Sequence, residues 1–176
     1  MAWSRRCPER RDARAHGPGG VHGKLTLRQV GRDVLYCPLS NYLCVPLDNG
    51  SLSVYDINNG KLEYDACGPI DHSPLNCAAL NPFCDLILAG HASGTVSVFN
   101  PRTKRSIAAI DIKTSAVPEG MRDSYVPEVC QIAVKDSMTF AVGTDKGMCH
   151  LYDIRNWSHP VSSHNLYYPS PVKKIL

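Results

Sequence analysis

One block recurs three times in this chain: Gly50-Ser-Leu-Ser-Val-Tyr-Asp56, Gly94-Thr-Val-Ser-Val-Phe-Asn100 and Gly147-Met-Cys-His-Leu-Tyr-Asp153. Its columns hold glycine, then Leu52, Val96 and Cys149, then Val54, Val98 and Leu151, then an aromatic residue followed by Asp or Asn. The glycines lie 44 and 53 residues apart. Self-similarity at such a period marks a repeat architecture, so the fold must be a series of like units. Alternation within the block predicts strands, with Leu52 and Val54 on one face and Ser51 and Ser53 on the other.

The match extends upstream of each glycine. Apolar runs at Leu43–Pro46, Ile87–Gly90 and Phe140–Gly143 are followed by Leu47-Asp-Asn, His91-Ala-Ser and Thr144-Asp-Lys. This pattern predicts hairpins in which Gly50, Gly94 and Gly147 supply a positive φ that a side chain resists. A further strand precedes each hairpin, at Arg32–Cys37, Leu75–Leu80 and Glu128–Val134, and a weaker one follows, at Lys61–Tyr64, Lys104–Ile110 and Pro160–Ser163. Four short antiparallel strands in about 40–45 residues is the period of a β-propeller blade. A β-sandwich would account for the strand density but not for recurrence in register. No window carries a 3.6-residue apolar period, so almost no helix is expected.

The expected fold class is therefore all-β, with three complete four-stranded blades over roughly 31–164. Partial blades flank them, an outer strand at Lys24–Val30 and an innermost strand at Val172–Leu176. Propellers of such blades commonly have seven, or about 300 residues, so a chain of 176 residues is expected to form an incomplete ring. Each apolar column needs a neighbouring blade to bury it.

Composition narrows the function classes. The chain is 43% hydrophobic and 20% charged, which is ordinary globular usage. The longest aliphatic run, Leu86–Ala89, is far below a membrane span of about 18 residues. Of the net charge of +3, residues 1–24 hold six Arg or Lys against two acids, leaving −1 for the other 152 residues. Residues 1–22 read as a disordered basic leader, a candidate nuclear-targeting or RNA-brushing arm, and 23–176 as the partial propeller. The body has no basic field of the kind a dedicated nucleic-acid surface needs. Eight cysteines include no Cys-x-x-Cys pair, and Cys37/Cys44 and Cys77/Cys84 lie seven apart, the wrong spacing for zinc. Small buried hydrophobes are the expectation for them. No metal or cofactor is expected.

The Tyr-Asp endings at 55–56 and 152–153, with Asp153-Ile154-Arg155, resemble the WD-repeat signature with Tyr in place of Trp. More specific stretches resemble the nucleolar protein 10 family, known in yeast as essential nuclear protein 2. They are Val30-Gly-Arg-Asp33, Asn100-Pro-Arg-Thr103, Phe140-Ala-Val-Gly-Thr144 leading to Leu151-Tyr-Asp-Ile-Arg155, and Pro171-Val-Lys-Lys174. The resemblance runs from about residue 23 to 176. It implies a nucleolar scaffold of the small-subunit processome, which matures small-subunit rRNA on pre-rRNA and U3 small nucleolar RNA. Its implied partners are processome proteins, with RNA contact indirect, no membrane and no small-molecule substrate. The resemblance implies no catalytic residues. The His/Asp/Ser-Thr/Trp tetrad of typical WD repeats is degenerate: Asp48 and Asp145 fit the turn Asp, the second repeat has Ala92-Ser93, and Trp157 lies beyond the strand.

No nucleophile elbow, phosphate loop or dinucleotide motif occurs, so no catalytic residue is assigned. Asp33, Asp48, Asp56, Asp145 and Asp153 fall in or beside turns, where Asp bonds its own backbone. Arg155 is expected to pair with Asp153, whereas Arg102 follows Asn100 and is expected to be freer to meet a partner. The long connection Asp111–Pro127, with Lys113 and Arg122, reads as a rim docking finger or a tolerated insertion. The candidate protein-binding residues are thus Arg102, Lys113, Arg122 and Arg155. His150 stands in the serine column and is expected at the surface, and Tyr64, Tyr167 and Tyr168 could stack or pack. A ubiquitin-ligase substrate adaptor is the second functional reading, since Asp-x-Arg after such a strand can dock a partner there. A propeller enzyme is the third.

Overall fold

The computed structural model describes residues 27, 29–59, 61–67, 73–117, 119–121, 126–166 and 170–175. The basic leader, Arg122 and the pair Tyr167-Tyr168 lie outside the described residues, as does the Tyr64 side chain.

Three four-stranded antiparallel sheets follow one another along the chain. The first blade comprises β1 (Leu35–Cys37), β2 (Tyr42–Pro46), β3 (Ser51–Asp56) and β4 (Lys61–Cys67). The second comprises β5 (Leu75–Asn81), β6 (Leu86–His91), β7 (Thr95–Asn100) and β8 (Arg105–Asp111). The third comprises β9 (Val129–Val134), β10 (Thr139–Thr144), β11 (Met148–Asp153) and β12 (Ser162–Asn165). Each is a meander in which every strand pairs with its neighbours in sequence. Even the irregularities repeat: the register shifts between Val54 and Tyr55 in the first blade and between Val98 and Phe99 in the second. The three turn glycines have φ of 77°, 84° and 76° at Gly50, Gly94 and Gly147.

The core lies between blades, as a stack of two-faced sheets requires. Leu52 and Val54 meet Leu75, Ile87 and Phe99 across the first interface. Val96 and Val98 meet Val129, Phe140 and Tyr152 across the second. The apolar column thus points to the following blade and the aromatic column to the preceding one. Phe140 and Tyr152 stack with ring centroids 5.6 Å apart. Asn76 Nδ2 donates to the Val129 carbonyl at 3.2 Å, and Asn81 Nδ2 to that of Ser137 at 3.2 Å. These two bonds hold β5 and β9 side by side in the same direction.

The aromatic column explains one overturned expectation. His150 is buried, not exposed, because its face of β11 turns toward the second blade along with Tyr152. Its Nδ1 meets Ser163 Oγ at 2.9 Å, and its Nε2 has no partner. The equivalent Ser97 bonds His91 Nε2 at 2.7 Å, and Ser53 donates to Asp65. A buried polar side chain therefore occurs at this level in every blade, each bonded to a neighbouring strand. Burial drives the His150 imidazole down to a pKa of about 4, from an ordinary 6.5.

The chain ends also differ in detail from expectation. Leu27, Gln29 and Val30 belong to no strand. Instead Gly31 forms an isolated bridge with Leu47, and Leu27 packs on Val45, Leu47 and Tyr55, covering that face of the first blade without pairing. At the other end Val172 donates to the Thr144 carbonyl at 3.0 Å, as Leu75 does to that of Leu47 at 3.2 Å. Val172 Cγ1 lies 2.7 Å from where a Cβ on Gly143 would stand, and Val129 lies against Gly90 in the same way. Val172 thus stands toward the third blade as Val129 stands toward the second.

Candidate interaction surface

Every blade sends two turns, β1–β2 and β3–β4 or their equivalents, to one rim. The middle hairpin and the connection to the next blade lie at the opposite rim. The predicted residues divide between the two. Arg102 and Arg155 occupy the first rim, in the β7–β8 and β11–β12 connections, whereas Lys113 lies on the opposite rim, so they form no single site. Gly50, Gly94 and Gly147 shape the middle hairpins of that opposite rim.

Arg102 is not partnerless. Its Nε lies 3.6 Å from Oδ2 of Asp85, a residue of the β5–β6 turn that is 2% exposed. Its partner lies outside its own turn, where the matching column holds Asn100. The fold brings two turns of one rim together, and only the register of β6 against β7 reveals that. Asp85 has a φ of 55° and neither carboxylate oxygen has a hydrogen-bond partner. The equivalent first-blade residue, Asn41, has a φ of 56° and donates to Asn58 Oδ1 at 2.8 Å. The cross-turn contact is therefore a repeated device, polar in one blade and ionic in the next. In the third blade Met138 stands at that place, and Arg155 folds back as expected, its Nε and Nη2 donating to Asp153 at 2.9 and 2.5 Å. The Arg155 side chain holds the Asp153 carboxyl down at about 2.

The connection after β8 is partly core rather than a free finger. Residues Ile112–Ala116 form a single helical turn, α1, followed by a 3-10 turn at Glu119–Met121. The Asp111 carboxylate accepts from the Lys113 amide at 2.9 Å and starts the turn. Ile112 and Val117 are buried, and Ser115 Oγ meets the Tyr152 hydroxyl at 2.6 Å. The connection therefore wedges between the second and third blades, because two apolar side chains gain more from that seam than from solvent. Lys113 is half-buried there.

Charge is distributed unevenly. Among the described residues, turns of the first rim carry Lys61, Arg102, Lys104, Arg105, Lys135 and Arg155 against Asp56, Asp85, Asp136 and Asp153. The opposite rim carries Arg32, Lys113, Lys146 and, next to Val172, Lys173 and Lys174 against Asp33, Asp48, Asp111, Glu119, Glu128 and Asp145. On the first rim the carboxylates are turned inward. Asp56 accepts from the Asn58 amide and Asn59 Nδ2 at 2.8 and 2.9 Å, and Asp136 from the Met138 and Thr139 amides at 2.8 Å each. Those amides hold the Asp136 carboxyl below its ordinary range. The cations project.

Of the six cysteines whose burial is described, Cys37, Cys44 and Cys77 are buried as small hydrophobes, and Cys130 and Cys149 are half-buried. Cys37 and Cys44 are buried with sulfurs 3.7 Å apart, and their contact and burial push the Cys44 thiol up. Burial pushes Cys77 up to about 12. Cys84 departs from the expectation and is exposed in the β5–β6 turn. Among the described residues no group of three or more His, Cys, Asp or Glu is placed to hold a metal ion. Among the same residues no helix is long and apolar enough to cross a membrane.

The model of the nucleolar protein 10-like N-terminal domain, a β-propeller, matches residues 8–176. Nucleolar protein 10 of Danio rerio is 28% identical over 161 residues, covering 91% of this chain and 22% of its own length. Human nucleolar protein 10 is 26% identical over the same extent, covering 23% of its length. Ribosome biogenesis protein ENP2 of Saccharomyces cerevisiae is 24% identical, with 90% of this chain and 21% of its own length covered. The chain thus spans about a fifth to a quarter of these relatives. A solved chain of a mitotic checkpoint complex shares the fold, with a TM-score of 0.63 at 20% identity, over 80% of this chain and 38% of its own length. A family match over nearly the whole length, on a fold of successive four-stranded blades, places the chain in the nucleolar protein 10 family.

Proposed function

We propose that the chain is a non-catalytic scaffold in ribosome biogenesis, working in the nucleolus within the small-subunit processome. The family match over residues 8–176 carries this reading, since relatives of that family are named for the nucleolus and for ribosome biogenesis. The architecture suits it. Stacked blades make a body with two chemically different rims, the first with an excess of cations, on which separate partners can be held. A body charge of −1 argues for protein contacts as the main attachment, with pre-rRNA and U3 RNA reached indirectly. Affinity purification of the tagged full chain from cells tests the reading. Processome proteins together with U3 RNA are the expected recovery. A ligase linker protein in their place would transfer the chain to the substrate-adaptor reading, and recovery of neither would overturn the proposal.

A further inference from the structure

The first rim pairs its cations with exposed apolar tips. Leu39, Phe83 and Met138 stand in the β1–β2, β5–β6 and β9–β10 turns, and they are 56%, 63% and 42% exposed. These turns join the innermost strands, which pack against one another, and the Asn81–Ser137 bond fixes two of them together. The tips therefore gather on the inner side of the rim. Apolar side chains concentrated on one surface and fringed by charge mark an interaction site.

The geometry points to this rim as a docking face for an acidic protein segment that carries apolar side chains. Charge complementarity selects the acid: Arg102 and Arg105 are exposed on this rim, while Asp56 and Asp136 are bound within their turns and Asp153 is held by Arg155. Arg102 is set up for it. Its Nε lies 3.6 Å from the buried Asp85 while the side chain is 62% exposed, which leaves the guanidinium open to a second carboxylate. A guanidinium already held at one end loses less freedom on binding. The apolar tips favour a peptide over RNA, because Phe83 alone offers a flat ring on which a base could stack, while Leu39 and Met138 suit aliphatic side chains. The inference deepens the scaffold reading by naming the surface and the chemistry of its partner.

Fluorescence anisotropy on the full chain tests it, with a short labelled peptide alternating glutamate and leucine as probe. Its counterparts are a lysine-leucine peptide and an oligouridine of similar length. The glutamate peptide should bind in a salt-sensitive manner. Phe83→Ser should weaken it about fivefold or more. The double variant Arg102→Ala/Asp85→Asn should do the same, since it removes the guanidinium without leaving a buried charge. Val126→Ser on the opposite rim, where Val126 is 50% exposed, should leave binding within about twofold. Thermal melting of each variant confirms that it is folded. Equal binding of the lysine peptide, or indifference to both rim variants, would overturn the inference. Tighter binding of oligouridine that both rim variants abolish would assign the face to RNA and overturn it too. If peptide binding behaves as stated but the chain recovers no ribosome-assembly proteins from cells, the scaffold reading falls and the docking face stands. Intact recovery with a failed peptide experiment gives the reverse.

Discussion

The second and third blades share a sequence block and a strand order, yet they meet different surroundings. Val96, Val98 and Phe99 are all fully buried, because the second blade has a sheet against each face. In the third blade Tyr152 is equally buried on the face toward the second, but Cys149 and Leu151, opposite it, are only half-covered. The repeated pattern dictates the strand and the direction of each side chain. What packs there decides how much each column stabilises.

Substitution at the turn glycines should separate the two blades most widely. Gly94 has a φ of 84°, and the Pro127 carbonyl, from the connection before the third blade, occupies the place a Cβ would take. Gly94→Val should therefore combine backbone strain with a clash against main chain, for a loss of about 3–5 kcal/mol. Gly147, at a φ of 76°, should lose about 1–3 kcal/mol on the same change from strain. Denaturant midpoints with constant slopes would measure both. Equal losses would mean that the long connection does not brace the second hairpin.

The next contrast lies in the serine column, where the second blade has Ser97 and the third has His150. An imidazole that titrates at about 4 when folded and near 6.5 when unfolded stays neutral inside while the unfolded chain binds a proton. Its contribution is complete above pH 6.5 and is lost as pH falls toward 4. The loss should reach roughly 2–3 kcal/mol. His150→Ser, which copies the second blade, should flatten the stability profile over that window. An unchanged slope would show that the imidazole charges freely in the fold.

Core truncation should give a smaller difference. Val98→Ala empties a site enclosed by two blades and should cost about 2 kcal/mol, whereas Leu151→Ala, although it removes more carbon, should cost about 1 kcal/mol or less. Comparable losses would indicate that residues 172–175 cover the third blade as fully as the third covers the second.

These contrasts show which features were legible in the sequence. The turn glycines, the alternation of Leu52 and Val54 and the Arg155–Asp153 pair were readable because each depends on residues within a few positions of one another. His150 was not, since its burial comes from a neighbouring sheet far away along the chain. Periodicity also missed α1, because a single turn is shorter than the window in which a 3.6-residue pattern registers. The Asp85–Arg102 contact was hidden by the same rule that hid His150: two turns far apart in sequence meet only once the strands between them pair.

That contact supplies the finest distinction between the blades. Arg102→Ala would leave the Asp85 carboxylate buried without its nearby cation, and should destabilise by about 1 kcal/mol. Arg155→Ala frees a partly exposed carboxylate that water can solvate, and should leave the midpoint nearly unchanged. Asp85→Asn supplies the control, because Asn41 already holds the same backbone conformation in the first blade, so the exchange adds no strain. In the Asp85→Asn background Arg102→Ala should have little effect, giving a coupling energy close to the single-mutant loss. Full additivity in that cycle, measured by urea denaturation, would mean that the 3.6 Å approach is incidental and that the Arg102 guanidinium is not held from below.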